Sequence, residues 1–476
     1  MFSTILELFL ALVLVAFGAF FALNSYRRRG AIRIVDIFVV MNCVYFGGGP
    51  LFSFLYSGFS LPSEEPEILV KAYLTVYLYI SGALVAHQFI RKDASAPRIL
   101  SNVPSTSDPK SPDKVGSVQW PMILTISSIV WASRLYGALR YGILFSGTAN
   151  EERILDQSYW YVVLSSLTSM LSLGCFLWYC WKFWCTAEWR GRILISLPIA
   201  LEFIWLATQG RRWILSGLVF LFLAYCARKG MLKARQLATW SAVLIVTGLA
   251  LFPLFIRMRE IYYANGTSGD AFIDIYNAAS GFDWEVRGLS ADEEYSANVA
   301  QRSLIIRFVC RIIESQEQIE PMYGKALGSS LMWVLPSLLY AKKHNNIQTE
   351  QFIQLHHGHP LEDTATTWPA IGCADFSVLG GLLAGVLVGS VLFALSRLAD
   401  AIAPKLPFMS FLVIGAVVNF SVFVEEDASL IWTILRSIFI LLPIAISYSA
   451  LFPKKHDART APTHLVGAHS ENPQAV

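Results

Sequence analysis

Thr4-Ile-Leu-Glu-Leu-Phe-Leu-Ala-Leu-Val-Leu-Val-Ala-Phe-Gly-Ala-Phe-Phe-Ala-Leu23 is an apolar run interrupted by one carboxylate, and the basic cluster Arg27, Arg28, Arg29 and Arg33 follows it. About 20 apolar residues in a helix cross the hydrocarbon core of a bilayer. A secretory signal carries its basic residues before the apolar stretch, so this order is the reverse of one. The run predicts a retained transmembrane helix with its basic end inside and its N-terminus outside.

Working outward, runs of similar character near 34–56, 68–90, 119–137, 158–181, 193–208, 213–227, 237–256, 370–396, 407–424 and 429–452 bring the expected spans to about eleven. The chain is 55% hydrophobic and 15% charged, too apolar for one soluble core, so lipid is its solvent. Alternating the spans from an outside N-terminus places Arg27 to Arg33, Arg91 to Lys114, Lys182 to Arg192, Arg228 to Arg235 and the tail with Lys454, Lys455 and Arg459 on the inner side. Those segments hold roughly twenty Lys and Arg against about four in the short outer loops, the bias that orients multi-pass proteins. The fold expected is all-α and polytopic: spans one to eight over 1–256, a large outer loop over 257–369, spans nine to eleven over 370–452, and a disordered inner tail over 453–476.

The outer loop is too long to be a plain connector. Within it Ser303–Ile313 and Tyr323–Tyr340 have helical apolar spacing, which predicts amphipathic helices lying on the membrane surface or capping the bundle. Asn265–Asn298, rich in Gly, Ser, Asp and Glu, reads as its mobile part. Gly381, Gly385 and Gly389 repeat every four residues in the ninth span, a helix-packing stripe.

Several clusters can carry chemistry. Arg211 and Arg212 stand at a tight outer turn between two spans, where paired guanidinium groups suit a lipid diphosphate, or simply snorkel to headgroups. Arg307 and Arg311, four apart on an expected helix, repel each other unless an anion lies nearby, and Glu314 is the local candidate. His356, His357 and His359 precede Glu362 and Asp363, so His359 or Asp363 can serve as a general base, or the stretch is a polar loop without chemistry. Glu425, Glu426 and Asp427 at an outer helix junction are costly so near hydrocarbon, and Glu425 is a further base candidate. Glu64 and Glu65 form a similar pair, read as a solvated turn or as catalytic carboxylates. No zinc-ligand spacing, phosphate loop or dinucleotide fingerprint occurs, so neither metal nor cofactor is expected. The seven Cys residues read as apolar filler, with Cys310 and Cys373 the one pair on the outer side able to form a disulfide.

Three stretches resemble the Wzy-type polysaccharide polymerases, which join oligosaccharide repeat units into bacterial O-antigen and exopolysaccharide. They are Thr208-Gln-Gly-Arg-Arg-Trp; Tyr323-Gly-Lys-Ala-Leu-Gly with Leu335-Pro-Ser-Leu-Leu-Tyr-Ala-Lys-Lys; and Thr364-Ala-Thr-Thr-Trp-Pro-Ala-Ile-Gly-Cys-Ala-Asp-Phe-Ser-Val-Leu-Gly-Gly. Their order and the long outer loop match as well, over most of 200–395. The third stretch departs from the family pattern at Ala374-Asp375-Phe376, where an aromatic residue and Asn before Phe-Gly are more usual. The resemblance implies a bacterial inner-membrane enzyme with a periplasmic N-terminus, a periplasmic loop and a cytoplasmic C-terminus. Its implied substrate is an undecaprenyl-diphosphate-linked oligosaccharide and its implied partner a chain-length regulator protein, with membrane lipid around it and no nucleic acid. On that expectation Arg211, Arg212, Arg307 and Arg311 bind the diphosphate, and His359, Asp363 or Glu425 takes the acceptor's proton. An O-antigen ligase shares this plan. A lipid-linked oligosaccharide flippase or other transporter is the reading from a different class, for which internal repeats and mid-span charges are the usual signs; Lys71, Arg134, Glu202 and Arg436 are the nearest to central here.

Overall fold

The computed structural model describes residues 2–29, 33–57, 64–89, 114–141, 159–186, 188–209, 211–229, short pieces between 235 and 243, 305–335, 348–360, 366–404, 406–425 and 428–451. The eighth expected span, the stretch 265–298, Asp363, Glu426, Asp427 and the tail from 453 lie outside the described residues, apart from the short pieces at the start of that span.

The described residues are helical, without strands. They comprise α1 (Phe2–Arg29), α2 (Ile34–Cys43), which passes through a π-helical turn at Val44–Gly48 into α3 (Gly49–Ser57), α4 (Pro66–Phe89), α5 (Lys114–Tyr141), α6 (Tyr159–Cys185), α7 (Trp189–Gln209), α8 (Arg211–Lys229), α9 (Ile305–Ser315), α10 (Lys325–Val334), α11 (Thr349–His356), α12 (Trp368–Ile402), α13 (Pro407–Val422) and α14 (Ser429–Leu451). Among these residues eight helical stretches are long and apolar enough to cross a membrane, and Trp213–Cys226 and Pro407–Val422 are shorter apolar helices. Ten of the eleven expected runs are thus helices, and the chain is a multi-pass membrane protein. Its outward apolar belts fit that solvent: Phe9, Leu12 and Phe20 of α1, Leu194, Leu197 and Ile204 of α7, and Phe439 and Ile444 of α14 are exposed.

Between spans hydrocarbon offers no hydrophobic driving force, so close backbone approach matters most. The glycine stripe supplies it. A side chain on Gly381, Gly385 or Gly389 would collide with the backbone of α4 at Thr75, Tyr79 and Ala83, and one on Gly82 would meet α12 in return. Among the described residues α4 and α12 make the most extensive helix pair.

Helix α12 is not continuous. Phe376 (φ −140°, ψ 26°) and Ser377 (φ 55°, ψ −153°) leave the helical region, and Gly372 and Gly380 touch across the break. The loop helices pack onto this end of the bundle. The apolar residues of α9, from Ile305 to Ile313, are buried against α4 and α12. Of the two placements open to an amphipathic loop helix, α9 takes the capping one.

Candidate functional site

At the capped end the broken span and the loop are fastened together. The Met322 and Tyr323 amides donate to the carbonyls of Ala374 and Asp375, both at 2.9 Å. The buried Asp375 carboxylate accepts from the Ala326 amide at 2.9 Å and the Leu327 amide at 3.0 Å, with the Gly324 amide also directed at it. It thereby satisfies the orphan donors at the start of α10. Gly324 holds φ +88° and Tyr323 φ +49° to make the turn, a conformation that only glycine adopts without cost.

Elsewhere in the bundle a partly open polar cavity of about 110 Å³ lies between α5, α6, α7 and the start of α8. One face of α6 lines it with hydroxyls: Ser165, Thr168, Ser169 and Ser172 recur at helical spacing, with Tyr161 one turn before them. Opposite stand Ser133 and Arg134 of α5, then Trp205 and Gln209 of α7 and Trp213 of α8. Arg134 donates to Glu202 Oε1 at 2.8 Å and to Ser172 Oγ at 2.6 Å, while Ser172 donates to Glu202 Oε2 at 3.3 Å. The guanidinium carbon lies 5.1 Å from the Trp131 ring centre and 4.8 Å from that of Trp205. The pair is deeply buried, with side chains 10% and 5% exposed, and its bonds and aromatic walls offset the cost of desolvating it.

The cavity reaches the turn predicted from sequence. Arg211 and Arg212 open α8 immediately before Trp213, although their side chains lie outside what is described. Trp213 packs edge-on against Phe423 with ring centres 4.7 Å apart, and Ser216 donates to Asn419 at 2.9 Å. Trp368 meets Phe420 one turn along α13. Glu425, two residues past Phe423, is half-buried. Arg436 of α14 donates to Ser166 on α6 and to the Val334 carbonyl that ends α10, both at 2.9 Å, tying the loop to the cavity wall.

The other expected residues fall elsewhere on the cap. Arg307 pairs with Glu64 at 2.9 Å and with Glu7 of α1 at 3.6 Å. Glu7 and Glu64, from distant segments, thus set two anions beside Arg307, and its charge braces the cap. Glu64 is correspondingly neither a solvated turn nor a spare carboxylate. His359 Nε2 donates to the Arg311 carbonyl at 3.1 Å; a carbonyl only accepts, so the proton sits on Nε2 and Nδ1 is the basic nitrogen. His356 Nε2 likewise donates to the Glu320 carbonyl at 2.9 Å.

His357 is buried. Ser315 Oγ donates to the Ile312 carbonyl at 2.8 Å, so the 2.8 Å contact between Ser315 and His357 has Nδ1 donating. Burial first, and then the neighbouring His356 and His359, push its pKa down to about 4. All seven cysteines are free thiols, Cys310 and Cys373 included. Among the described residues no cluster of His, Cys, Asp and Glu could hold a metal.

Sequence reasoning overlooked the α6 hydroxyl face and the Asp375 clamp. The first was legible as Tyr161, Ser165, Thr168, Ser169 and Ser172 at helical spacing within an apolar span; the second carried no local signal, because Asp375 appears only as a departure from a motif. No protein-family model, curated protein or solved structure matches this chain.

Proposed function

We propose that this chain is a membrane glycosyltransferase that polymerises undecaprenyl-diphosphate-linked oligosaccharide repeat units at the periplasmic face of a bacterial inner membrane. The observation that carries this reading is convergence. Trp213 from the first family-like stretch and Trp368 from the third pack on Phe423, just past the end of α13, and Phe420, in its last turn. The second stretch is hydrogen-bonded to the third through the Tyr323, Ala326 and Leu327 amides, which donate to Asp375. That segments far apart in the chain share these contacts, with a polar cavity next to the Arg211–Arg212 turn, is what supports the reading.

In the reaction an acceptor hydroxyl attacks the anomeric carbon of the donor glycan. A new glycosidic C–O bond forms as the bond to the diphosphate breaks, and undecaprenyl diphosphate leaves with the electron pair. Arg211 and Arg212, with Arg311 from the loop, stabilise the charge that develops on it. Arg307, the fourth candidate, is paired with Glu7 and Glu64. The acceptor's proton passes to Glu425 or to His359 through Nδ1, with Asp363 the remaining candidate. Chain length is set by a separate regulator protein.

The test is the carrier-linked glycan profile of a deletion strain complemented with wild type or with Arg211→Ala plus Arg212→Ala. Single repeat units accumulating in the deletion, not rescued by the double variant, are expected. Polymer left on the lipid carrier would instead indicate a ligase. A second reading, movement of a lipid-linked sugar across the membrane, draws on the Arg134–Glu202 pair buried within spans; normal chains in the deletion strain would favour it over polymerisation.

A further inference from the structure

We infer that the cavity between α5, α6 and α7 is a binding site for one neutral sugar ring. The inference deepens the reading above and rests on it for the choice of a saccharide over other polyols. A cavity facing lipid would be lined by aliphatic side chains, whereas this one presents Ser165, Thr168, Ser169 and Ser172 along one helix face. Thr168 donates to the Leu164 carbonyl, Ser172 to Glu202, and Ser165 is bonded to Tyr161, yet each hydroxyl keeps acceptor capacity that water or a ligand rich in hydroxyls can use. A hydroxyl donates and accepts, as a sugar's does, and the pairing needs no charge on either side.

The charge at the site is internally neutralised. Arg134 and Glu202 bind each other and Ser172, which leaves no uncompensated charge to select an ionic ligand. Trp213 and Tyr161 add aromatic surface on which the C–H face of a pyranose can stack. At about 110 Å³ with an open side the space is below that of drug-sized pockets, so it can seat one ring at most and not a chain. Gln209 and Trp213 lie on its wall just before and after Arg211 and Arg212. A ring seated there sits next to the turn that holds the diphosphate, as the first sugar of a carrier-linked unit requires.

The experiment is saturation-transfer NMR on the full chain in lipid nanodiscs, with glucose, galactose, mannose, rhamnose, N-acetylglucosamine and N-acetylgalactosamine as free probes. Transfer to the ring protons of at least one sugar is expected, and Ser165→Leu with Ser169→Leu, which fills the cavity, abolishes it. If that variant does not fold, Ser165→Ala with Ser169→Ala removes the hydroxyls without adding bulk and weakens binding roughly fivefold or more, the worth of about one hydrogen bond. No transfer from any of the six sugars, or equal transfer to wild type and variants, overturns the inference; a water or proton pathway predicts that result. The readout does not depend on polymer formation. Normal polymer in the deletion strain would sink the polymerase reading while leaving a sugar signal intact, and absent sugar binding beside a confirmed polymerase would sink only the cavity assignment.

Discussion

Asp375 holds together two segments that neither local propensity nor hydropathy would join. Its carboxylate takes the amides at the start of α10, and hydrogen bonds to a charged group contribute roughly 1.5–3 kcal/mol each. Asp375→Asn retains one acceptor oxygen and turns an amide donor toward a backbone donor. Hydrogen exchange over 322–334 is expected to rise sharply in that variant while the spans stay protected; unchanged exchange would mean the clamp does not hold α10. His357 sets a pH response in the same cap. Above about 6.5, the ordinary His value, it is neutral whether α11 is docked or released. As the pH falls from there toward about 4, the released form takes up a proton that the buried ring, facing Ser315, His356 and His359, refuses, so docking weakens across that window. Acidification from pH 7 to 5 should therefore lower the protection of the amides in 349–359 relative to their intrinsic exchange rates at each pH, and His357→Gln should flatten the response.

Among the elements, α12 shows how much of a membrane fold follows from small residues. Its glycines bring its backbone onto that of α4, an approach that dispersion rewards where the hydrophobic effect cannot. Gly385→Ala places a methyl group against the Tyr79 carbonyl, and overpacking of this kind costs roughly 1–3 kcal/mol. A lower thermal midpoint in detergent is the expected result, whereas Gly328→Ala, where added bulk meets nothing within 4 Å, should leave it in place. The glycine stripe was legible in the sequence because its period is that of the helix itself. The break at Phe376 and Ser377 was not, since nothing at those positions excludes a helix. It persists because the Gly372–Gly380 contact across it and the bonds from Met322 to Ala374 and from Tyr323 to Asp375 just before it over-determine it.

For the whole molecule, the buried Arg134–Glu202 pair ties α5 and α7 across the cavity while Ser172 adds α6. Removing one partner strands a charge, at a cost of roughly 3–5 kcal/mol, while replacing both with apolar residues is far milder. Arg134→Leu should lower the thermal midpoint of the purified protein more than Arg134→Leu with Glu202→Leu does; additive losses would show that the two do not interact. Both residues were visible in the sequence as charges within spans, but not as partners, being 68 positions apart. Arg307 is the converse case: its helix and charge were predicted, and its commitment to Glu7 and Glu64 was not. By itself the sequence determined the helical membrane architecture of the described residues, the position of ten of its spans and the glycine seam, because transfer into lipid is summed over each segment's own side chains and needs no partner. Only the tertiary structure decided which charges are spent on one another and where a polar space remains, because an ion pair or a cavity belongs to several surfaces at once and exists only after packing has brought them together.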